Sequence, residues 1–175
     1  MSCCMLTGSF DPVTNGHIDL LCRSRRLFDR VYAAVLVNPD KSGLFSLAER
    51  TELLRGAVCG MDIEVVASER TAVEVAKACG ADCLVRGIRN AADHEYERVM
   101  AAYNYEIGGI DTLFFEAGDK TARVSSGAVK RLLQEGKSVR AYVPEAIFER
   151  LNELYSKRTS IVKTKQNTAN GIKKE

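Results

Sequence analysis

Four separated pieces of the chain carry residue types able to grip phosphate groups and support their transfer. The first is "GSFDPVTNGH", Gly8 to His17, in which glycines bracket a serine and a histidine follows directly on Gly16. A helix opening near Gly16-His17 would offer unpaired N–H groups and its positive dipole end, a natural anion site. Ser9 adds a hydroxyl, Gly8 and Gly16 permit close approach, and His17 can hydrogen-bond a phosphate oxygen. The same residues also read as a turn whose histidine caps its own helix. The second piece, "NPDKSG", puts Lys41 just past a strand-like run, where its ammonium can reach a phosphate or stay solvated. In the third, "VRGIR", Arg86 and Arg89 stand three residues apart around Gly87. Two guanidinium forks at that spacing suit phosphate clamping; two surface arginines are the alternative. The fourth piece, Thr121 to Gly127, leads into a helix start at Ser125-Ser126. Hydroxyls and free N–H groups there suit phosphate oxygens, and an ordinary serine N-cap explains them almost as well. Neither GxxxxGK[ST] nor GxGxxG is present, so the two common glycine-rich phosphate loops are excluded.

Short apolar runs alternate with helical segments and must position these groups. Runs at 3–7, 30–38, 63–68, 83–87 and 111–117 are brief and mostly unalternating, as expected for strands covered on both faces. Ser46 with Glu49 and Thr71 with Glu74 form Ser/Thr-x-x-Glu boxes that open helices near 47–59 and 72–79, closed by Gly60 and Gly80. Further helices are predicted from Ala92 to Glu106, over 126–135, and from Pro144 onward, where Ile147, Leu151, Leu154 and Tyr155 share a face. This order predicts a single-domain α/β fold, a doubly wound, Rossmann-like parallel five-stranded sheet with a C-terminal helix. Ligands in such sheets bind beyond the carboxyl ends of the strands, near the switch point of strand order.

The chain has 175 residues, 46% hydrophobic and 27% charged, enough for a packed core. No apolar run is long enough to span a membrane, and "MSCCMLTG" lacks the pattern of a signal peptide. The net charge of +2 hides an asymmetry: Ser156 to Glu175 carries net +5 and the remainder −3. Residues 1–157 read as the domain and 158–175 as a basic, polar, disordered tail, rather than a nucleic-acid-binding arm. Cys3, Cys4, Cys22, Cys59, Cys79 and Cys83 show no zinc spacing and read as buried, reduced thiols of a cytoplasmic protein.

"GSFDPVTNGH" resembles the signature of the nucleotidyltransferase superfamily, its (H/T)xGH element supplied by Thr14-Asn15-Gly16-His17. More narrowly, "NPDKSGLFSLAER", "LVRGIRNAADHEYE" and "VSSGAVK" follow in the order of the bacterial phosphopantetheine adenylyltransferase family, from about residue 3 to 157. The resemblance implies transfer of AMP from ATP to 4′-phosphopantetheine, giving dephospho-coenzyme A and pyrophosphate, with magnesium and in a homo-oligomer, a hexamer. It implies catalytic roles for His17 and Lys41. ATP would meet Ser9, Phe10, His17, Gly87, Ile88, Arg89, Glu97 and the run Thr121, Ala122, Arg123, Val124, Ser125, Ser126, Gly127. The second substrate would meet Ser9, Lys41, Ala72 and Arg86. No acidic metal cage is visible, so phosphates and water would ligate most of the magnesium.

Departures from the family pattern are Thr7 for proline, Ser9 for threonine, His94 for phenylalanine and Gly127 for a third serine. Ser9 keeps the hydroxyl, Gly127 loses one donor, and His94 reads as a helix-surface residue. The competing readings are a related transferase acting on nicotinamide mononucleotide or another phosphorylated substrate, and a non-catalytic nucleotide-binding module. The cytidylyl-branch signature and a KMSKS-like loop are both absent.

Overall fold

Successive residues of β1 (Cys3–Gly8) point to opposite sides of the sheet and fall into two separate apolar clusters. Cys4 and Leu6 join Val31, Ala33 and Val35 of β2 (Arg30–Leu36) and Cys83 and Val85 of β4 (Cys83–Ile88) on one face. Cys3 and Met5 join Tyr32, Ala34 and Leu84 on the other. Both faces of the central strands are therefore buried, which is why their sequences show no alternation. The computed structural model describes residues 1–38, 42–118 and 124–171, with side chains as far as 160.

The five strands lie in the order β3-β2-β1-β4-β5, with β3 spanning Glu64–Ser68 and β5 Asp111–Glu116, and all four pairings are parallel. Six helices occur among the described residues: α1 (Asn15–Arg25), α2 (Leu47–Ala57), α3 (Ala72–Cys79), α4 (Ala91–Gly108), α5 (Ser126–Gln134) and α6 (Glu145–Gly171). Both predicted capping boxes form, at Ser46/Glu49 and Thr71/Glu74. Gly80 ends α3 in the left-handed conformation at φ 66°, a position that favours glycine.

Chain progress reverses after β3. The segment β1-α1-β2-α2-β3 runs toward one edge, and β4 returns to the other side of β1. Right-handed crossovers then place the two sets of helices on opposite faces. The loops leaving β1 and β4 diverge, and the cleft between them is the switch point.

Three details differ from the sequence reading. The edge strand β5 is covered unevenly, with Leu113 exposed, because no neighbour lies beyond it. Burial pushes the Cys4 thiol up to about 12 and Cys83 to about 11, yet Cys59 is exposed on the turn after α2. The backbone of α6 continues to Gly171, so helix covers most of the segment read as a tail. No proline or glycine intervenes between Pro144 and Gly171 to break its ladder.

Candidate active site

The loop from β1 to α1 is built around a residue in a strained conformation. Phe10 has φ 45°, unusual for a side-chain-bearing residue, while its ring is fully buried. Buried charges hold the loop on two sides. The Arg50 guanidinium, from α2, donates to the Ser9 carbonyl at 2.8 Å and the Leu36 carbonyl at 3.1 Å, tying together the ends of β1 and β2. The Asp11 carboxylate accepts from the backbone N–H groups of Leu44 at 2.7 Å and Phe45 at 2.9 Å, and pairs with Lys130 of α5 at 3.1 Å.

His17 stands at the third position of α1, where it caps its own helix, one of the two sequence readings. Its Nδ1 accepts the backbone N–H of the N-cap residue Thr14 at 3.0 Å and lies 3.1 Å from the Thr14 hydroxyl. A nitrogen that accepts a backbone N–H carries no proton, so the neutral ring must be protonated on Nε2. The imidazole packs against the Phe10 ring, centroids 4.9 Å apart. Burial first, then the Arg86 and Arg89 guanidinia, push its pKa down to about 4. His17 thus caps its helix with one nitrogen and keeps the other as a fixed, uncharged donor beside two cations.

The β4 side is organised differently. Arg86 Nη1 donates to the Thr7 carbonyl, joining β4 to β1, while Nε and Nη2 bind the Glu97 carboxylate at 2.8 and 2.7 Å. Arg89 is exposed and makes the same two-pronged contact with Asp93 at 2.6 and 3.1 Å. Both carboxylates come from α4, so the two guanidinia already hold anionic oxygens in bidentate geometry. Gly87 lies between them, and a Cβ there would come within 2.6 Å of a Leu20 methyl of α1, which would have to turn aside.

A cavity of about 750 Å³ at the switch point is lined by Ser9, Ala72, Arg86, Gly87, Arg89 and Glu97 among others. Six of the sequence-predicted residues thus share one cleft; Phe10 follows Ser9 in the β1–α1 loop, and His17 stands in the first turn of α1. Ile88 ends β4 beside them. A second cavity, of about 650 Å³, is lined by Ser125 and Gly127 together with residues 42–44 and Lys130. Ser125 caps α5 by accepting from Ala128, and the Ser126 hydroxyl donates to the Pro12 carbonyl at 2.8 Å. Val124 is buried next to them. Lys41, Thr121, Ala122 and Arg123 lie outside the described residues. His94 is exposed on α4, its ring edge-on to Phe114. Among the described residues no group of three or more His, Cys, Asp or Glu could hold a metal ion.

Asp11, Arg50 and Lys130 were not singled out from sequence. All three fall inside the quoted motif pieces, but a buried charge is recognisable only once its tertiary partners are known.

The sequence profile of the cytidylyltransferase-like family matches residues 5–132. The chain is similar to the phosphopantetheine adenylyltransferases of Streptococcus pneumoniae strain JJA, 42% identical, and strain ATCC BAA-255 / R6, 41% identical. Each match covers 84% of this chain and 93% of the relative. Among solved structures, a bifunctional NMN adenylyltransferase/ADP ribose pyrophosphatase from Francisella tularensis has a TM-score of 0.62 at 10% identity, covering 97% of this chain and 56% of that one. A Vibrio parahaemolyticus protein assigned as a nicotinate-nucleotide adenylyltransferase has a TM-score of 0.61 at 17% identity, covering 86% and 99%. These structures establish the nucleotidyltransferase fold. The protein is a cytidylyltransferase-like nucleotidyltransferase. Within that class, the chain belongs to the phosphopantetheine adenylyltransferase family.

Proposed function

We infer that this enzyme moves AMP from ATP to 4′-phosphopantetheine, forming dephospho-coenzyme A and releasing pyrophosphate. The observation that carries the reading is a neutral His17 whose Nδ1 is held by the Thr14 N–H, which leaves Nε2–H as a donor, close enough to the Arg86 and Arg89 guanidinia for both to push its pKa down. Membership of the family named for this reaction supports it.

In the reaction, an oxygen of the 4′-phosphate attacks the α-phosphorus of ATP. The bond to the β-phosphate oxygen breaks, and its electrons leave with pyrophosphate. The attacking phosphate is already ionised, so no protein base is required. The demands left are alignment and stabilisation of negative charge on the α-phosphate oxygens. His17 answers the second demand: a neutral, fixed N–H gains strength as charge builds and needs no reorganisation. Arg86 would exchange part of its Glu97 contact for the 4′-phosphate, near Ser9 and Ala72. Arg89, with Gly87, Ile88 and Glu97, would sit against the nucleotide, and Phe10 would shape its wall. Lys41 would bridge toward both phosphates. The run Thr121–Gly127, through Ser125, Ser126 and backbone N–H groups, would hold the β- and γ-phosphates. Magnesium, arriving on the triphosphate, supplies neutralising charge, and phosphate oxygens and water would be its ligands.

A homo-oligomer fits the outer surface of α4. Tyr96, Val99, Tyr103 and Ile107 recur every three or four residues and are all about half exposed or more, while no residue of this helix is buried. An apolar stripe of that length marks a contact surface, and family resemblance suggests a hexamer. ATP as substrate and the free thiols fit a cytoplasmic location.

The test is incubation with ATP, magnesium and 4′-phosphopantetheine, assayed for pyrophosphate, with nicotinamide mononucleotide as the control acceptor. Pyrophosphate release dependent on phosphopantetheine is expected. Release with nicotinamide mononucleotide instead would reassign the acceptor.

A further inference from the structure

Asp11, beside the site, is a deeply buried carboxylate that lines neither of the two cavities. The Asp11 side chain is 3% exposed and has three donors: Leu44 N–H, Phe45 N–H and the Lys130 ammonium. They come from two other parts of the chain, the segment leading into α2 and the helix α5. The loop containing Asp11 is anchored independently by Arg50, which holds the Ser9 carbonyl against the end of β2. With that loop fixed, the Asp11 contacts determine where the other two segments lie relative to it. The Ser126 hydroxyl reinforces the junction one residue further on, at the Pro12 carbonyl. The 650 Å³ cavity opens at this junction.

We propose that Asp11 is a positioning residue for the triphosphate. Its carboxylate draws the backbone of residues 44–45 and the mouth of α5 to the loop that presents His17. It thereby sets the separation between the α-phosphate donor and the groups around the β- and γ-phosphates. The inference rests on the reading of α5 as the β,γ-phosphate subsite. A buried carboxylate with two backbone N–H donors and an ammonium is fully satisfied, so the three segments separate only by leaving charge unpaired. Asp11→Asn keeps the shape but sets an amide NH2 against one of the donors. If the amide oxygen takes Leu44 and Lys130, the buried Phe45 N–H is left facing another donor.

The test compares ATP with AMP, which lacks the β- and γ-phosphates, by calorimetric titration of the intact protein. For Asp11→Asn the expected result is ATP binding weakened about tenfold with AMP binding within about twofold of wild type. A general loss of structure would weaken both nucleotides together, and that outcome, or no change in either, overturns the proposal. Lys130→Met removes one donor from a partly exposed position and leaves both backbone bonds; it should weaken ATP about threefold and spare AMP. If Asp11→Asn does not fold, unchanged ATP binding by Lys130→Met overturns the proposal. When both fold, the double variant should bind ATP no more weakly than Asp11→Asn, and additive losses contradict a shared role. Nucleotide binding is read without 4′-phosphopantetheine, so failure of the phosphopantetheine reading would appear separately, in the pyrophosphate assay.

Discussion

On the β1 side of the cleft, His17 is fixed by a backbone N–H, a hydroxyl and an aromatic ring. On the β4 side, Arg86 and Arg89 are fixed mainly by carboxylates of a single helix, α4. The first set of partners cannot be exchanged without unwinding the start of α1. The second set can, because a phosphate oxygen satisfies a guanidinium fork as well as a carboxylate oxygen does. On the proposed function, the cleft would pair a rigid donor for the reacting phosphorus with adjustable cations for the incoming groups. Preorganisation would then be concentrated where charge changes during the reaction, and exchangeable pairing where substrates enter and leave.

The largest expected effect comes from breaking the rigid side. His17→Ala should lower kcat by about 10²- to 10³-fold while ATP affinity stays within about threefold, since the lost contact strengthens in the transition state. Steady-state kinetics with a separate nucleotide titration decides this; a proportionate loss of ATP binding would make His17 a ground-state ligand. On the adjustable side the split should reverse. Arg86→Ala should raise the KM for 4′-phosphopantetheine by about 10- to 100-fold with a much smaller change in kcat. An unchanged KM would remove that guanidinium from the acceptor subsite.

A third measurement sharpens the difference without mutation of the site. The chain has two histidines, so ring-nitrogen NMR resolves His17 against a His94→Gln control. His17 should remain neutral and protonated on Nε2 down to about pH 5, because its folded pKa is pushed down to about 4. The unfolded chain takes up this proton near the ordinary value of about 6.5. The stability linked to His17 is therefore complete above about pH 6.5 and is lost as pH falls toward 4. Protonation of the folded ring at its ordinary value would contradict the buried, cation-flanked setting. The smallest effect is expected at the mouth of α5. A Cβ at Gly127 would have Ser125 Oγ as its nearest neighbour, at 3.9 Å, so Gly127→Ser should change kcat/KM for ATP by less than about twofold.

Much of the fold was legible because its signals are local. The Ser46/Glu49 and Thr71/Glu74 boxes, Gly80, and the unalternating runs of β1, β2 and β4 mark elements whatever surrounds them. The helix extension to Gly171 was not legible from polarity alone, since a polar segment without breakers can continue an existing helix. His17, Arg86 and Arg89 were found through their positions at strand and helix ends, and Glu97 through family resemblance; the structure gives Glu97 a partner in Arg86. Asp11, Arg50 and Lys130 escaped notice because their roles depend on segments distant in sequence. In isolation each is an ordinary charged residue.

The most direct test of the central claim is a crystal structure with magnesium, a non-cleavable ATP analogue and 4′-phosphopantetheine. His17 Nε2 is predicted to lie about 2.7–3.2 Å from an α-phosphate oxygen, with Nδ1 still on Thr14 and Arg86 turned toward the 4′-phosphate. An α-phosphate bound away from the imidazole, with Arg86 and Arg89 facing no phosphate, would contradict the account.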